Sequence, residues 1–429
     1  MSRHARRRRS GARVALATLA GTSLGWPPAA WADDLFARDQ NVAVLDRPHP
    51  EYDPLGFRAG GFDIFPKVEG QVSYDDNILA LPFSPLADAL FTVEPDLTIK
   101  SDWNQNALSL EANGILRRYA TYGTQNSDQY SVTGSGVLNV YHDLTVTADA
   151  SHALVLLTRD TDAYARFSLT PLLYDETAAH LGVVKTFARV KLTATGAFED
   201  FRYHDGLTVR LNPPAIVTLD TTFRDHDTYI GSLRGDYALS GDLALFVQET
   251  VTHSTYNRAH LRNQDQTETL VGPNFVVTHL ITAEIGLGYL TSDFAGPGTR
   301  SVGNFTGRAK IEYFPTDLIT VTLTGDQAVI DSGLPTSPAY LSRAAALEAD
   351  YELLRNLIIS GKIGAIWNKY QVIDRYDRDF NASLAATWRV NRGLDFGLSY
   401  NRLQRGSSGA AAGLRFDDNV VSFSVTVQR

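Results

Sequence analysis

Cysteine is absent from this 429-residue chain and methionine occurs once. That removes disulfides, thiolate metal sites and cysteine nucleophiles together. Positive charge is also scarce: 39 lysines and arginines stand against 48 acids, a formal charge of -9, and no basic block follows the first residues. A nucleic-acid partner is excluded on that ground, because binding needs a positive surface to replace phosphate counterions. Beyond the first 32 residues there is no run of about 18 apolar residues, so no transmembrane helix is written here. Helical periodicity is missing past residue 60, where apolar side chains recur every second residue and not at i, i+3 and i+4.

The first 32 residues read as an export signal. Arg3, Arg6, Arg7, Arg8, Arg9 and Arg13 form its basic end, Val14 to Leu24 its apolar stretch, and Ala30-Trp31-Ala32 a small-x-small cleavage site. A basic arm for nucleic acid is the competing account, and the apolar stretch argues against it. Cleavage after residue 32 would leave 397 residues with a formal charge of -15.

What is present in abundance is alternation. Phe305, Gly307, Ala309, Ile311 and Tyr313 share one face of a strand, with Thr306, Arg308, Lys310 and Glu312 on the other. Ile319, Val321 and Leu323 alternate with threonines in the same way, and Phe91 to Ile99 with Thr92 to Lys100. One face of each strand wants an apolar medium and the other wants water. Pairs of such strands recur, joined by short turns near Asn104, His142, Ala188, Ser240, His279, Pro315, Arg355 and Asn391 and separated by longer polar loops. With one segment before them (Ile64 to Asp75) and one after (Val421 to Val427), the count is eighteen strands, with sixteen as the alternative. Aromatic residues flank both strand ends: Trp103, Tyr141, Phe187, Tyr237, Phe275, Tyr313, Tyr351 and Trp388 by the short turns, and Tyr119, Tyr130, Tyr203, Tyr229, Tyr256, Tyr289, Trp367 and Tyr400 by the long loops. Rings at both ends of apolar-faced strands are what two membrane interfaces select. A soluble sandwich or propeller also alternates, but it does not ask for a charged interior such as Glu348, Asp350 and Glu352. The expectation is an all-β, antiparallel up-and-down barrel in the outer membrane, in three parts: signal 1–32, periplasmic arm 33–61 and barrel 62–429.

Specific motifs join this layout. Asp46-Arg47-Pro48-His49-Pro50-Glu51-Tyr52-Asp53-Pro54-Leu55-Gly56, then Tyr74-Asp75-Asp76-Asn77, then Pro95-Asp96-Leu97 with Ser101-Asp102-Trp103, resemble the alphaproteobacterial outer-membrane β-barrel family often labelled porin type 2. The resemblance implies a signal-bearing outer-membrane barrel, with some members beside exopolysaccharide or capsule genes, and it carries no catalytic residues. One departure is the ending Val427-Gln428-Arg429, where such barrels usually finish in an aromatic read by the assembly machinery.

Candidate sites follow from the faces. Glu94, Asp96, Lys100, Arg234, Asp236, Glu284, Arg308, Lys310, Glu312, Asp326, Glu348, Asp350, Glu352, Lys362 and Arg389 should line the lumen, where mixed charges bias ion passage; Glu348, Asp350 and Glu352 are the sharpest excess of one sign. Closure of the barrel should bring Asp75, Asp76 and Asn77 beside Asp417, Asp418 and Asn419, a rim cluster able to hold a hard cation or, more plainly, to cap the loops. The arm, rich in proline, is expected to be extended and non-helical, acting as linker, partner contact or small plug. Two loops are long, Thr158 to Tyr174 and His204 to Asp225; they read as surface loops, with folding into the pore as the alternative. Ser151-His152 and His253-Ser254 point to opposite faces of their strands, and no nucleophile elbow or metal-ligand spacing occurs, so neither an enzyme nor a cofactor is expected. The expected partners are outer-membrane lipid, the assembly machinery and, by the resemblance, polysaccharide or polysaccharide-export proteins. The function is then passage of hydrophilic solutes, the alternative being a non-conducting structural barrel that acts through its arm and loops.

Overall fold

Period-two alternation resolves into long antiparallel strands. The computed structural model describes Phe36 and residues 41–429 other than 161, 163, 212 and 297–300. The export signal expected over 1–32 lies outside the described residues. In chain order the strands are β1 (Phe57–Ala59), β2 (Phe62–Asp75), β3 (Asp88–Ser101), β4 (Ala107–Tyr119), β5 (Ser127–Tyr141), β6 (Leu144–Leu157), β7 (Leu172–Thr186) and β8 (Val190–Tyr203). A small hairpin follows, β9 (Gly206–Leu211) and β10 (Pro214–Leu219). Then come β11 (His226–Ala238), β12 (Leu243–Tyr256), β13 (Gln264–Val277), β14 (Ile281–Phe294), β15 (Val302–Thr316), β16 (Ile319–Asp331), β17 (Ala339–Leu354), β18 (Leu357–Tyr370), β19 (Tyr376–Asn391), β20 (Leu394–Ser408) and β21 (Phe416–Gln428).

Every long strand pairs with its sequence neighbours, β8 pairs with β11, and β2 pairs with β21. The ring therefore closes at eighteen strands. No α-helix occurs among the described residues, and none is long and apolar enough to cross a membrane. Closure matters because in lipid an unpaired strand edge has no water to satisfy it. The eight short connections fall where the sequence places them, from the link between β3 and β4 to Arg392-Gly393 between β19 and β20. Both ends of the ring-forming chain, Phe62 and Gln428, lie at this turn end.

Sidedness follows the pleat. Val68, Val72, Leu108, Val247, Leu287, Leu384, Leu398 and Phe423 are all exposed on the outside of the ring. Most of the expected aromatic residues join them, including Trp103, Tyr141, Tyr237 and Trp388 at the turn end and Tyr130, Tyr229, Tyr289 and Trp367 at the loop end. Three do not. Tyr119, Tyr203 and Tyr256 occupy the opposite parity from Leu116, Leu192 and Val251 of their own strands and face the lumen.

Strand β21 is held on one side by β20 and on the other by β2. Truncation before Phe416 leaves two unpaired edges. Such a protein should lose the shifted gel migration that a closed barrel shows when unheated, whereas the full chain should keep it in detergent.

Candidate functional site: the lumen and its two constrictions

A ring of 16 to 18 strands is too wide for its own side chains to fill and leaves an aqueous channel unless something enters it. At the loop end something does. The connection between β6 and β7 (158–171) turns inward instead of lying on the surface, the reverse of the favoured expectation. Asp162 starts it: one carboxylate oxygen accepts the amides of Tyr164 and Ala165 at 2.8 and 2.9 Å, fixing a one-turn 3-10 helix over Ala165–Phe167. Tyr164 then packs against Leu334, Tyr340 and Tyr370, which belong to the β16–β18 side of the ring. Those strands stand about opposite β6, so the loop crosses the lumen. A second apolar cluster, Ala165, Leu172 and Leu219, seats the β9–β10 hairpin on the same loop.

An ionic hub locks the crossing. The other oxygen of Asp162 takes Arg224 at 2.9 Å, and Arg224 also reaches Asp331 at 3.5 Å. Arg262 holds Asp331 at 2.7 Å and donates to the carbonyls of Leu334 and Pro338, while the Tyr256 hydroxyl donates to the same Asp331 carboxylate. Burial works against the charge of Arg224, but Asp162, Tyr203 and Asp331 override it and hold the group above its ordinary pKa. Gly333 sits against this guanidinium at φ 66°, where an added Cβ would lie 2.9 Å from it. Tyr203 and Tyr256 serve the hub from below: His226 stacks between Phe201 and Tyr256 with centroids 4.6 and 4.7 Å away, and Arg224 lies 4.4 Å over Tyr203. None of this was read from the sequence, although the parity of Tyr203 and Tyr256 signalled that they face inward.

The turn end is narrowed by the arm. Residues 41–56 are extended apart from a 3-10 turn at Val44–Asp46 and a turn over His49–Asp53, where the amides of Tyr52 and Asp53 both donate to the His49 carbonyl at 2.8 Å, and they follow the inner rim. Asn41 bonds the His279 carbonyl, and the fully buried Val44 donates its amide to Thr320 Oγ1 at 3.0 Å. Arg47 pairs with Glu352 at 2.9 Å and also donates to the Asp317 carbonyl. Arg392 donates to the Pro50 carbonyl, and the chain then enters the ring through the β1–β2 hairpin. The arm lines the mouth.

Between the two ends lie the expected charges, on lumen faces as the alternation places them. Glu94 stands opposite Glu69 of β2, Asp96 accepts Thr98 Oγ1 at 3.4 Å, and Lys100 is exposed near the turn end. Arg234 forks onto Glu284 with two bonds of 2.9 Å and also holds Asp236. Arg308 lies 3.6 Å from Glu268, and Lys310 pairs with Glu312 at 2.9 Å. The acidic run is not a bare patch: Glu348 faces Lys362 at 3.3 Å, Asp350 accepts Ser360 at 2.5 Å, and Glu352 is taken by the arm. Asp326 and the buried Arg389 complete the lumen face.

The seam gathers half of the rim cluster. Asp75, Asp76 and Asp418 bring a carboxylate oxygen each to within 4.8 Å of one another. Asp417 points to the outside, 3.6 Å from Arg402. Asn77 ties its own loop through Leu81 and reaches the Asp417 carbonyl at 2.8 Å; Asn419 donates both amide groups to Asp76. A calcium ion takes about six to eight oxygens, and three of the six carboxylate oxygens here already accept these bonds or that of the Asn77 amide. The hydrogen bonds are those of a clasp across the β2–β21 closure. The serine–histidine neighbours stay apart as well: His152 bonds Tyr130 and Thr177 on the outer wall, and Ser254 bonds Thr228 inside.

Two measurements test the constrictions. Breaking a buried ion pair by removing one partner costs roughly 3–5 kcal/mol, so Arg224→Met should release loop 158–171. Trypsin should then cut at Arg159 or Arg166 in a barrel that still migrates as folded. At the other end a charge-assisted pair is worth roughly 1.5–3 kcal/mol, so Glu352→Gln should speed hydrogen exchange of the Val44 amide by about tenfold or more. Unchanged exchange would mean that the arm is held by other contacts.

Solved structures similar to this chain include proteins described as an outer membrane protein and as a porin. The outer membrane protein OpdK of Pseudomonas aeruginosa shares 11% identity at a TM-score of 0.45, over 86% of this chain and 99% of its own. OccAB3 of Acinetobacter baumannii gives 11% and 0.46 over 86% and 100%, and a BenF-like porin of Pseudomonas fluorescens Pf-5 gives 11% and 0.45 over 86% and 99%. No curated protein matches in sequence. The family described as Putative beta-barrel porin 2 matches residues 49–429, from the rim-following arm through the last strand. With that match and a closed ring of eighteen strands around a charged lumen, this chain belongs to the Putative beta-barrel porin 2 family, a porin-like β-barrel of the bacterial outer membrane.

Proposed function

We propose that the barrel passes small hydrophilic solutes by diffusion, with its short turns and both chain ends in the periplasm and its long loops outside. The observation that carries this reading is the hydration of the mid-lumen. Arg308 and Lys310 lie in the interior of β15 and face the lumen, yet their side chains are 56% and 57% exposed. A barrel filled from end to end would bury them, so water reaches the middle of the ring. Their exposure also argues against the non-conducting barrel that acts only through its arm and loops. Passage of a polysaccharide chain, or partnership with polysaccharide-export proteins, gains no support from a lumen that loop 158–171 crosses. The periplasmic placement of the ends rests on the usual asymmetry of such barrels, short turns inside and longer loops outside. Insertion by the assembly machinery belongs to the same reading.

Planar bilayers supply the test. Stepwise single-channel conductance is expected, and electrical silence would overturn the proposal in favour of the non-conducting barrel. Arg308→Glu with Lys310→Glu should move the reversal potential toward cation preference. Glu348→Gln should move it less, because Lys362 already faces that carboxylate.

A further inference from the structure

The outer wall carries a feature that passage through the lumen does not use. On four neighbouring strands, β17 to β20, outward positions toward the loop end hold Arg343, Lys369, Arg378 and Arg402, all exposed. Arg343, Trp367, Arg378 and Gly406 stand opposite one another on successive strands. The missing side chain of Gly406 leaves a gap beside Arg378. That gap belongs to a depression of about 710 Å³ lined by Trp367, Tyr376, Arg378, Phe380, Gln404 and Arg415. The one carboxylate side chain on its outer rim, Asp417, is 3.6 Å from Arg402. The other guanidinium groups have neutral partners: Arg343 donates to Gln327 at 2.8 Å, Arg378 lies 5.0 Å over the ring of Tyr376, and Arg415 donates to the Ser407 carbonyl at 3.1 Å. Among the described residues none of these three makes an ion pair.

Toward the turn end the wall continues as an apolar trough of about 350 Å³ over Ala349, Gly361 and Ala382, between Leu347, Ile363 and Leu384. Ala345 and Ala365, paired across β17 and β18, keep the floor low between the two hollows. The wall therefore presents a cationic, aromatic-rimmed hollow at interface level and an apolar channel running from it toward the membrane centre.

We propose that this groove binds a phosphorylated lipid of the leaflet at the loop end, with its phosphate between Arg378 and Arg415 and an acyl chain in the trough. Guanidinium groups match phosphate oxygens in fixed, forked geometry. Tryptophan and tyrosine settle at headgroup level. Cations on the lipid face cost little near the interface and far more at the midplane. A second copy of this chain suits the hollow less well, since a two-fold contact would set the same arginines against themselves. The inference rests on the barrel lying in a membrane and is independent of whether it conducts.

Trp367 reports on the site. The barrel is reconstituted in phosphatidylcholine vesicles containing a small, equal fraction of brominated-chain phosphatidic acid or brominated-chain phosphatidylcholine. The quenching due to Trp367 is the part lost in Trp367→Phe. That part should be several-fold larger with the brominated phosphatidic acid, and Arg378→Gln with Arg415→Gln should reduce it to the phosphatidylcholine level. Equal quenching by the two lipids, or a preference that survives the double substitution, would overturn the proposal. So would shielding of Trp367 from both lipids together with cross-linked dimers, which would assign the groove to a second copy. All three substituted side chains are exposed or line the outer hollow, and migration of the unheated protein checks that each variant is folded.

Discussion

The pairing of β2 with β21 is the constraint on which the rest depends. A strand in hydrocarbon must give every amide and carbonyl a partner within the sheet, so the first and last strands, more than 340 residues apart, have to meet in register. Ser73 faces Ser422 with hydroxyl oxygens 2.8 Å apart, and above them Asn77 and Asn419 bond across the seam. Once that edge is closed, an even strand count places both ends of the ring on the same side. Side-chain parity then divides lipid from water for the whole circumference. The acidic motifs at the seam are explained by this meeting: they end one strand, begin another, and supply acceptors to the loop amides between them.

Closure at eighteen strands creates a second demand. The enclosed space is too wide to be packed by inward side chains. The chain meets this with its own loops at one end and its own arm at the other. Tyr164 brings apolar surface across the lumen, and a charge hub makes the crossing specific. Arg224 and Arg262 share Asp331, so each buried guanidinium has a carboxylate; Arg262 also donates to the carbonyls of Leu334 and Pro338, while the Nε of each arginine is buried without a hydrogen-bond partner. In mid-lumen the same chemistry is wetter. Arg234 with Glu284 is a fork, whereas Arg308 and Glu268 are only loosely opposed.

How much of this the sequence could show depends on the range of the interaction. Strands, short turns and sidedness are local, a matter of neighbours two residues apart, and all eight short turns were legible. The inward placement of Glu348, Asp350 and Glu352 was legible for the same reason, and the register then pairs Glu348 with Lys362. Proximity to strand ends places Tyr203 and Tyr256 at the membrane interface, whereas parity alone sends them inside. The loop crossing was beyond local reading. Asp162, Arg224 and Asp331 are separated by dozens to more than a hundred positions, and an Asp in a polar loop has the same appearance whether it caps a surface turn or holds an arginine in the lumen. At the seam, closure could be inferred and the Asp75, Asp76 and Asp418 meeting with it, and the parity that Asp417 shares with Val421 and Phe423 already turns it outward.

The two constrictions differ in kind, and that difference bears on which end of the lumen opens more easily. The loop end is held by two apolar clusters as well as by the ionic hub, so displacing it takes the loss of a buried hub residue such as Arg224. Among its described residues the arm buries fully one apolar side chain, Val44. It is otherwise held by polar links such as Arg47 to Glu352 and Arg392 to the Pro50 carbonyl, several of them reaching solvent. Links of that kind weaken with salt and compete with water, whereas a packed apolar core does not. The arm is therefore the more easily displaced element. Its removal would return Glu352 to the lumen without its arginine partner, so opening the turn end would add negative charge to the lumen along with width.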